Sequence, residues 1–266
     1  MLTKSFFATI FIMYCVICLL LFIFQRHFIY APSKYIANFS DYNLKDFKEI
    51  TLSTKDNHKI IGWYKNAKNS KPTIVFFHGN AGNISHRIYK LLAFTNDSGY
   101  GLLGVDYRGY GGSKGKPTER GLYNDGRAAI DYLKLQNIPE DEMIFYGESL
   151  GTAVAVKMAT EYKPKLLVLE APFTSAVNLG NEGIFRLFPI TLLLKDKFNS
   201  LAAINKINSP VLIAHGKSDG IINVSHGQQL YKAANTKKQL VLYEGKGHNN
   251  IDPFEVLHQI MSFNYL

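Results

Sequence analysis

The sequence predicts an α/β protein, with an eight-stranded and mostly parallel sheet, helices on both of its faces, a small cap, and one transmembrane helix before the domain. Two observations lead to this prediction. Short apolar runs bounded by turn residues recur along the chain with longer amphipathic segments between them, as in a parallel sheet covered by helices. The first 24 residues are far more apolar than the rest of the 266-residue chain. The remainder is long enough for one large domain with a sizeable core.

Residues 6–24 are predicted to be an uncleaved transmembrane anchor. This run has 19 uncharged, mostly apolar residues, and as a helix it would span about 28 Å, close to the hydrocarbon thickness of a bilayer. A cleaved signal peptide would have a shorter apolar region and a small-x-small site, of which residues 29–31 supply only the second small residue. The predicted division is therefore an anchor over residues 1–25 and a domain over 26–266. The flanking charges of Lys4, Arg26 and Lys34 nearly balance, so no orientation across the membrane is predicted.

Composition excludes several classes of function. The chain has 30 Lys and Arg against 21 Asp and Glu, but the surplus positive charge is spread out, so nucleic acid is not an expected partner. Both cysteines, Cys15 and Cys18, lie in the apolar N-terminal run, which excludes disulfide scaffolds and cysteine nucleophiles from the rest of the chain. The sequence has no metal-ligand cluster, dinucleotide loop or complete P-loop, so no cofactor is expected.

Eight apolar runs are the predicted strands, and five amphipathic segments are the predicted helices. The first two strands are separated by a short polar stretch that contains Asp56 and Asn57 and suits a hairpin, so they should form an antiparallel edge. The excursion over residues 171–209, rich in Phe and Leu, is predicted to be a small cap over one end of the sheet. The strands are predicted at residues 47–53, 58–64, 73–77, 101–105, 143–146, 166–169, 211–214 and 239–243, and the helices near 84–98, 118–136, 150–163, 224–236 and 252–262.

A serine on a tight strand-to-helix turn is the first candidate for chemistry. Gly147-Glu148-Ser149-Leu150-Gly151 has the G-x-S-x-G spacing, follows a predicted strand and precedes a helix-forming segment. Glycines at both ends let strand and helix approach closely, while strained backbone angles at Ser149 expose its Oγ at the carboxyl edge of the sheet. Alone, such a pentapeptide also fits a plain glycine-rich turn.

A base and an acid occur at corresponding places after later strands. A serine hydroxyl is a weak nucleophile unless a base removes its proton, and His248, just beyond the last strand, is the candidate base. Asp219, just past the strand at 211–214, is the candidate that fixes the histidine tautomer and stabilises its charged form. Each could be an ordinary loop residue, but three agreeing placements favour a catalytic triad.

Other residues compete for the acid and base roles. Asp106 and Glu170 also lie at strand ends, but Asp106 is expected to pair with Arg108 or to cap a turn. Three further histidines have no matching position: His215, His226 and His258.

The oxyanion of a tetrahedral intermediate also needs hydrogen-bond donors. The backbone N–H of Asn80, in the loop after the strand at 73–77, and that of Leu150 are the expected donors. His78 is expected to orient this loop by hydrogen bonding, or else to be a histidine satisfied near the core.

Together these motifs resemble the α/β-hydrolase superfamily, and within it the small membrane-anchored serine hydrolases with one N-terminal helix. The order Ser, Asp, His is the order in that fold. The resemblance implies an eight-stranded sheet, the triad Ser149, Asp219 and His248, and hydrolysis of ester-like bonds. Ile222-Asn223 departs from the Val-Pro pair that often follows the acid, which leaves the shape of that loop open. The matching segments are QRHFIYAP at 25–32, FHGNAGNI at 77–84, DYRGYG at 106–111, PTERGL at 117–122, GESLG at 147–151, and the loops of Asp219 and His248.

The predicted function is hydrolysis of carboxylic esters or thioesters through an acyl-enzyme, with lipid esters or acylated proteins at the membrane as the favoured substrates. The apolar stretch at residues 184–194 either shapes an acyl pocket or is simply core of the cap. A serine peptidase of the prolyl-oligopeptidase type is an alternative, although the 148 residues before Ser149 leave no room for its propeller. A catalytically silent membrane scaffold is another alternative. The loss of a triad residue would have supported it, but all three triad residues are present. Since no proposed catalytic residue precedes Asn80, a chain beginning near Ala31 is expected to be soluble and active on small esters.

Overall fold

An eight-stranded sheet runs through the described part of the chain, which comprises residues 2–42, 44 and 46–263 of a computed structural model. Met1, the first residue of the predicted anchor, lies outside the described residues, as do the last three residues of the predicted domain. The strand order is β1-β2-β4-β3-β5-β6-β7-β8. The strands are β1 Lys48–Ser53, β2 Lys59–Lys65, β3 Thr73–Phe77, β4 Gly101–Val105, β5 Met143–Glu148, β6 Leu166–Glu170, β7 Val211–Gly216 and β8 Lys238–Tyr243.

The predicted fold class is confirmed. Strands β1 and β2 form the expected antiparallel edge, and β2 also pairs antiparallel with β4, while the pairs from β4 through β8 are parallel. Strands β5 and β7 extend two residues beyond their predicted ends, because Glu148 still pairs with Glu170 and Gly216 with Tyr243. Backbone pairing does not require an apolar side chain, so a strand can extend beyond the hydrophobic run from which its length was predicted.

Helices cover both faces of the sheet and bury two separate hydrophobic clusters. Alternate strand residues point to opposite faces, so Val75 and Phe77 of β3 pack with α3, α4 and α8, whereas Ile74 and Phe76 pack with α2 and α9. Local caps start two of the helices: the Thr118 side chain accepts from the N–H of Gly121, and the Asp252 side chain accepts from the N–H of Phe254. The α-helices are α1 Leu2–Tyr30, α2 Ile88–Thr95, α3 Glu119–Leu135, α4 Leu150–Ala159, α5 Ala176–Gly180, α6 Ile190–Leu193, α7 Leu201–Ile204, α8 Ser225–Ala233 and α9 Pro253–Ser262.

Helix α1 is the one described helix that is long and apolar enough to cross a membrane. It runs without a break across residue 25, where the sequence places the end of the anchor, and its last residue, Tyr30, is fully buried. The Tyr30 ring packs edge-on against Phe198 of the segment between β6 and β7. A chain that began near Ala31 would therefore lack a residue of the hydrophobic core, which argues against the expectation that such a chain is soluble and active.

The excursion between β6 and β7 forms the predicted cap. It consists of short helical pieces, α5, the 3₁₀ turn Gly183–Leu187, α6 and α7, and it leaves the sheet at the carboxyl end of β6. Because parallel strands end at the same edge of a sheet, the loops after β5, β7 and β8 meet beneath this cap.

Asp106 and Arg108 do not pair with each other, so that expectation is wrong. The chain turns after β4, which directs Asp106 towards the N–H of Ile84, 2.9 Å from its Oδ1, at the start of the 3₁₀ turn Ile84–Arg87. The alternative expectation, that Asp106 caps a turn, therefore holds. Arg108 points instead to α3, where it bonds the buried Asp125 at 2.7 Å, and to Asp56 at 2.7 Å.

Replacing Arg108 should destabilise the fold strongly. Arg108→Met leaves the buried Asp125 carboxylate without its cation, and breaking a buried pair in this way costs about 3–5 kcal/mol of unfolding free energy. The melting temperature should fall by about 10 °C, measured by circular dichroism. The matched control is Arg127→Met, which removes a partly exposed pair with Glu161 and should cost less than about 1 kcal/mol. Equal shifts for the two variants would contradict the importance of the buried pair.

Candidate active site

The predicted nucleophile Ser149 lies on a sharp turn between β5 and α4. Its backbone has φ +51° and ψ −116°, a conformation that costs on the order of 1–3 kcal/mol in a residue other than glycine. The neighbouring glycines are required for space: a Cβ at Gly151 would lie 1.9 Å from the carbonyl oxygen of Phe77, and one at Gly147 would lie 2.5 Å from the Cα of Thr152. The turn therefore has the geometry that the G-x-S-x-G spacing predicts.

The structure brings Ser149, His248 and Asp219 together in one hydrogen-bonded chain. The Nε2 of His248 lies 3.1 Å from Ser149 Oγ, and its Nδ1 lies 2.8 Å from Asp219 Oδ2. The three residues come from the loops after β5, β7 and β8, which end at the same edge of the sheet. Since Asp219 Oδ2 is an acceptor, Nδ1 carries a proton and Nε2 of the neutral ring is free to accept one from the serine hydroxyl.

The loop after β7 wraps closely around the Asp219 carboxylate. Its Oδ1 accepts hydrogen bonds from the N–H groups of Ile221 and Ile222, each at 2.8 Å, which settles the loop shape left open by Ile222-Asn223. Burial opposes ionisation of Asp219, but hydrogen bonds from His215, His248 and these two backbone groups together hold its pKa well below the usual range. Asp219 is therefore a carboxylate at neutral pH.

His215 is a contact that the sequence did not predict. This buried histidine lies at the end of β7, and its Nε2 is 3.3 Å from Asp219 Oδ2 and 3.0 Å from the carbonyl oxygen of Ile222. Because both neighbours are acceptors, Nε2 carries a proton directed at the same carboxylate oxygen that faces His248. The sequence signal that could have identified it is its position near the end of strand β7, four residues before Asp219.

Apart from His215, the rival acids and bases are engaged elsewhere. Glu170 is buried and is bonded to Lys90 at 2.8 Å and to the hydroxyl of Tyr146. His226 contacts Thr174 and Glu182, and His258 is exposed on α9. None of these side chains contacts Ser149 in the described part of the chain.

A second group unforeseen from the sequence is the cluster of charges beneath the nucleophile. Glu148, next to Ser149, is bonded to Arg87 at 2.8 Å and to Lys90 at 2.6 Å, and Lys90 also contacts Glu170. Burial opposes ionisation of Glu148, but the two cations outweigh it and lower its pKa. Two carboxylates and two cations balance, so this end of the site carries no net charge.

The expected oxyanion donors, Asn80 and Leu150, both line the same pocket as Ser149. The loop of Asn80 is held from below, because the hydroxyl of Tyr110 lies 2.7 Å from the Asn80 carbonyl oxygen. His78 is fully buried, with Nδ1 2.8 Å from the carbonyl oxygen of Gly79 and Nε2 3.4 Å from Asp106. His78 therefore contacts the loop as the first expectation has it, whereas its Nε2 makes no hydrogen bond within the described residues, so it is not a fully satisfied core histidine.

A cavity of about 780 Å³ lies over Ser149. The stretch at residues 184–194 contributes Phe185, Ile190 and Leu193 to its wall, so part of that stretch lines the pocket rather than only filling the cap. Helix α1 forms another part of the wall through Leu21 and Phe28, which the sequence did not predict. Among the described residues, no three His, Cys, Asp or Glu side chains converge so as to hold a metal ion.

Comparison with known proteins gives consistent results. A family model described as serine aminopeptidase S33 matches residues 68–194. An uncharacterised protein of Mycobacterium tuberculosis is 36% identical over 229 residues, covering 85% of this chain and 81% of that protein. The human α/β hydrolase domain-containing protein 17B is 32% identical over 218 residues, covering 80% and 73%. Among solved structures, an esterase of Pyrococcus furiosus superposes with a TM-score of 0.71 at 22% identity, covering 86% of this chain and 96% of the esterase.

Proposed function

This chain is a hydrolase-type enzyme of the α/β-hydrolase superfamily, and from that premise we propose that it is a membrane-anchored serine hydrolase that cleaves carboxylic esters or thioesters. The observation that carries the proposal is the hydrogen-bonded chain Asp219–His248–Ser149 at the base of a largely apolar cavity. Its natural substrates are lipid esters or acylated molecules of the membrane in which α1 is anchored.

The reaction follows from the geometry in two steps. His248 Nε2 takes the proton of Ser149 as Oγ attacks the acyl carbonyl, and Asp219 stabilises the resulting imidazolium. The N–H groups of Asn80 and Leu150 donate to the oxyanion, and His248 then gives its proton to the leaving alcohol or thiol. Water, deprotonated by His248, attacks the acyl-enzyme, and His248 returns that proton to Ser149 Oγ as the carboxylic acid leaves.

The lining of the cavity supports an acyl substrate. Its walls are mainly Leu, Ile and Phe side chains, and burying each CH₂ of an acyl chain is worth about 0.8 kcal/mol. Arg87 and Glu148, which also line it, are bonded to each other and so do not call for a charged substrate group.

A panel of substrates tests this proposal with the full-length protein in detergent. We expect kcat/KM for p-nitrophenyl esters to rise by up to about fourfold for each added CH₂ until the cavity is filled. The panel includes an aminoacyl p-nitroanilide, because the matching family model is named for aminopeptidases. Faster cleavage of the anilide than of every ester would favour the peptidase alternative. Failure to cleave any of them, together with no labelling by a fluorophosphonate, would contradict the serine hydrolase.

His215 should act as a positioning residue within this site. His215→Phe keeps an aromatic ring, although a larger one, and removes the N–H that faces Asp219, so we expect kcat to fall by about tenfold while KM stays unchanged. His215→Gln, which keeps a side-chain donor, should recover part of the loss, and the exposed His258→Phe should have no effect. A change confined to thermal stability, with kcat preserved, would show that His215 is only a packing residue.

A further inference from the structure

One face of α1 packs along the cap over a long distance. Near the middle of the helix, the Tyr14 hydroxyl donates to the carbonyl oxygen of Leu187 at 3.1 Å, and the Tyr14 ring stacks on Phe188. About three turns further on, the Gln25 amide donates to the carbonyl of Leu193 at 2.9 Å and accepts from the N–H of Lys195 at 2.7 Å. The cap therefore packs directly against the predicted transmembrane segment.

The depth of these contacts can be read from the helix geometry. Tyr14 lies near the middle of the predicted transmembrane span at residues 6–24. The hydrocarbon core of a bilayer is about 30 Å thick. Ten residues from Tyr14 to Phe24 rise by about 15 Å, which is half of that thickness. If α1 spans the bilayer, the cap residues beside Tyr14 cannot lie wholly outside it.

The outer surface of the cap is suited to that position. Ile184, Leu187 and Leu192, here called the cap patch, are 71%, 64% and 81% exposed. They lie on the cap elements that contact α1. The faces of α1 that do not contact the cap are also exposed and apolar. Lys195, with its Nζ 3.9 Å from the centre of the Phe22 ring, has a charge suited to the headgroup region near the end of the span.

Arg186 limits how deeply the cap can enter. Its charged side chain is exposed between Phe185 and Leu187, so it opposes entry into the hydrocarbon unless it extends towards the headgroups.

We propose that the cap patch is embedded among the acyl chains of the leaflet next to the domain, and that the cavity takes the acyl chain of its substrate sideways from that leaflet. The cavity lies between α1 and the cap, with Leu21 and Phe28 on one side and Phe185 on the other. Phe28 is 66% exposed and Phe185 45%, so the cavity wall reaches the outer surface where α1 meets the cap. This proposal rests on the proposed function for its membrane anchor and its acyl substrate.

Tryptophan quenching tests the embedding without any catalysis. The chain has one tryptophan, Trp63, which is buried in the core, so it supplies a constant background. The full-length protein carrying Leu192→Trp is reconstituted in phosphatidylcholine vesicles with or without brominated acyl chains. We expect bromine to quench the added emission of this variant and to leave that of Leu135→Trp unchanged. Leu135 is an equally matched control at 80% exposure, and it lies at the end of α3, at the opposite edge of the sheet from the cap. Equal quenching of the two variants, or none in either, would overturn the embedding.

Substrate delivery tests the sideways entry. The double variant Leu187→Glu, Leu192→Glu places two carboxylates in the cap patch, each unfavourable among acyl chains by more than about 2 kcal/mol. We expect hydrolysis of a long-chain ester held in vesicles to fall at least about tenfold, while a short water-soluble ester is cleaved at the parent rate. Leu135→Glu should change neither rate. An unchanged rate of the double variant on the vesicle ester would overturn sideways entry. If instead the parent protein cleaves neither ester and is not labelled by a fluorophosphonate, the proposed function is contradicted.

Discussion

Ser149→Ala is expected to lower kcat for ester hydrolysis by about 10⁶-fold and to abolish labelling by a fluorophosphonate probe. The effect is large because Oγ is the atom that forms the acyl-enzyme, and without it His248 has no hydroxyl to deprotonate. Alanine is no more strained than serine at φ +51°, so the turn and the fold should be retained. Gel fluorescence after labelling, with a melting curve of the same sample, measures both points.

A matched variant guards against nonspecific labelling in that experiment. Ser262 is exposed at the end of α9 and its hydroxyl donates to the carbonyl oxygen of His258 in the same helix, so Ser262→Ala should label as strongly as the parent protein. Label that persists in Ser149→Ala would show that another residue is the nucleophile.

Asp219→Asn should lower kcat by about 10⁴-fold and leave KM nearly unchanged, a loss of about 5.5 kcal/mol of transition-state stabilisation. The neutral amide cannot stabilise the imidazolium of His248. If its NH₂ group occupies the place of Oδ2, it is a donor that cannot accept the N–H groups of His248 and His215. Steady-state kinetics on a soluble ester measures the loss. A loss of only a few-fold would show that another acid serves His248.

The rival acids supply the comparison for this variant. Glu170→Gln and Asp106→Asn remove carboxylates that contact Lys90 and the N–H of Ile84 instead of His248, so they should lower stability more than kcat. A larger catalytic loss in Glu170→Gln than in Asp219→Asn would reassign the acid.

The low pKa of Asp219 adds a dependence of stability on pH. A carboxyl group whose pKa is lower in the folded than in the unfolded chain stabilises the fold above its ordinary pKa, and this contribution is lost as the pH falls. The stability of the parent should therefore fall more steeply below about pH 4 than that of Asp219→Asn. Melting temperatures of both proteins at several pH values measure the difference.

Much of the fold could be predicted because its signals are local. Each strand is a short apolar run closed by turn residues, and the G-x-S-x-G turn records in five consecutive residues that strand and helix must approach closely. Ser149, Asp219 and His248 could be selected because each follows a strand directly, and parallel strands bring such positions to one edge. The sequence by itself therefore determined the positions of the strands along the chain, its apolar helix and the three candidate residues.

Only the tertiary structure decided which distant side chains meet. Arg108 is two residues from Asp106 in sequence, yet it pairs with Asp56 and Asp125, because packing of α3 against the sheet sets its direction. Gln25 and Leu193 are 168 residues apart, and nothing near either residue indicates that the cap lies along α1. Local periodicity fixes an element and the face it buries, but the partner of that face depends on how all the elements pack at once. For that reason the wall that α1 contributes to the cavity became visible only in the folded chain.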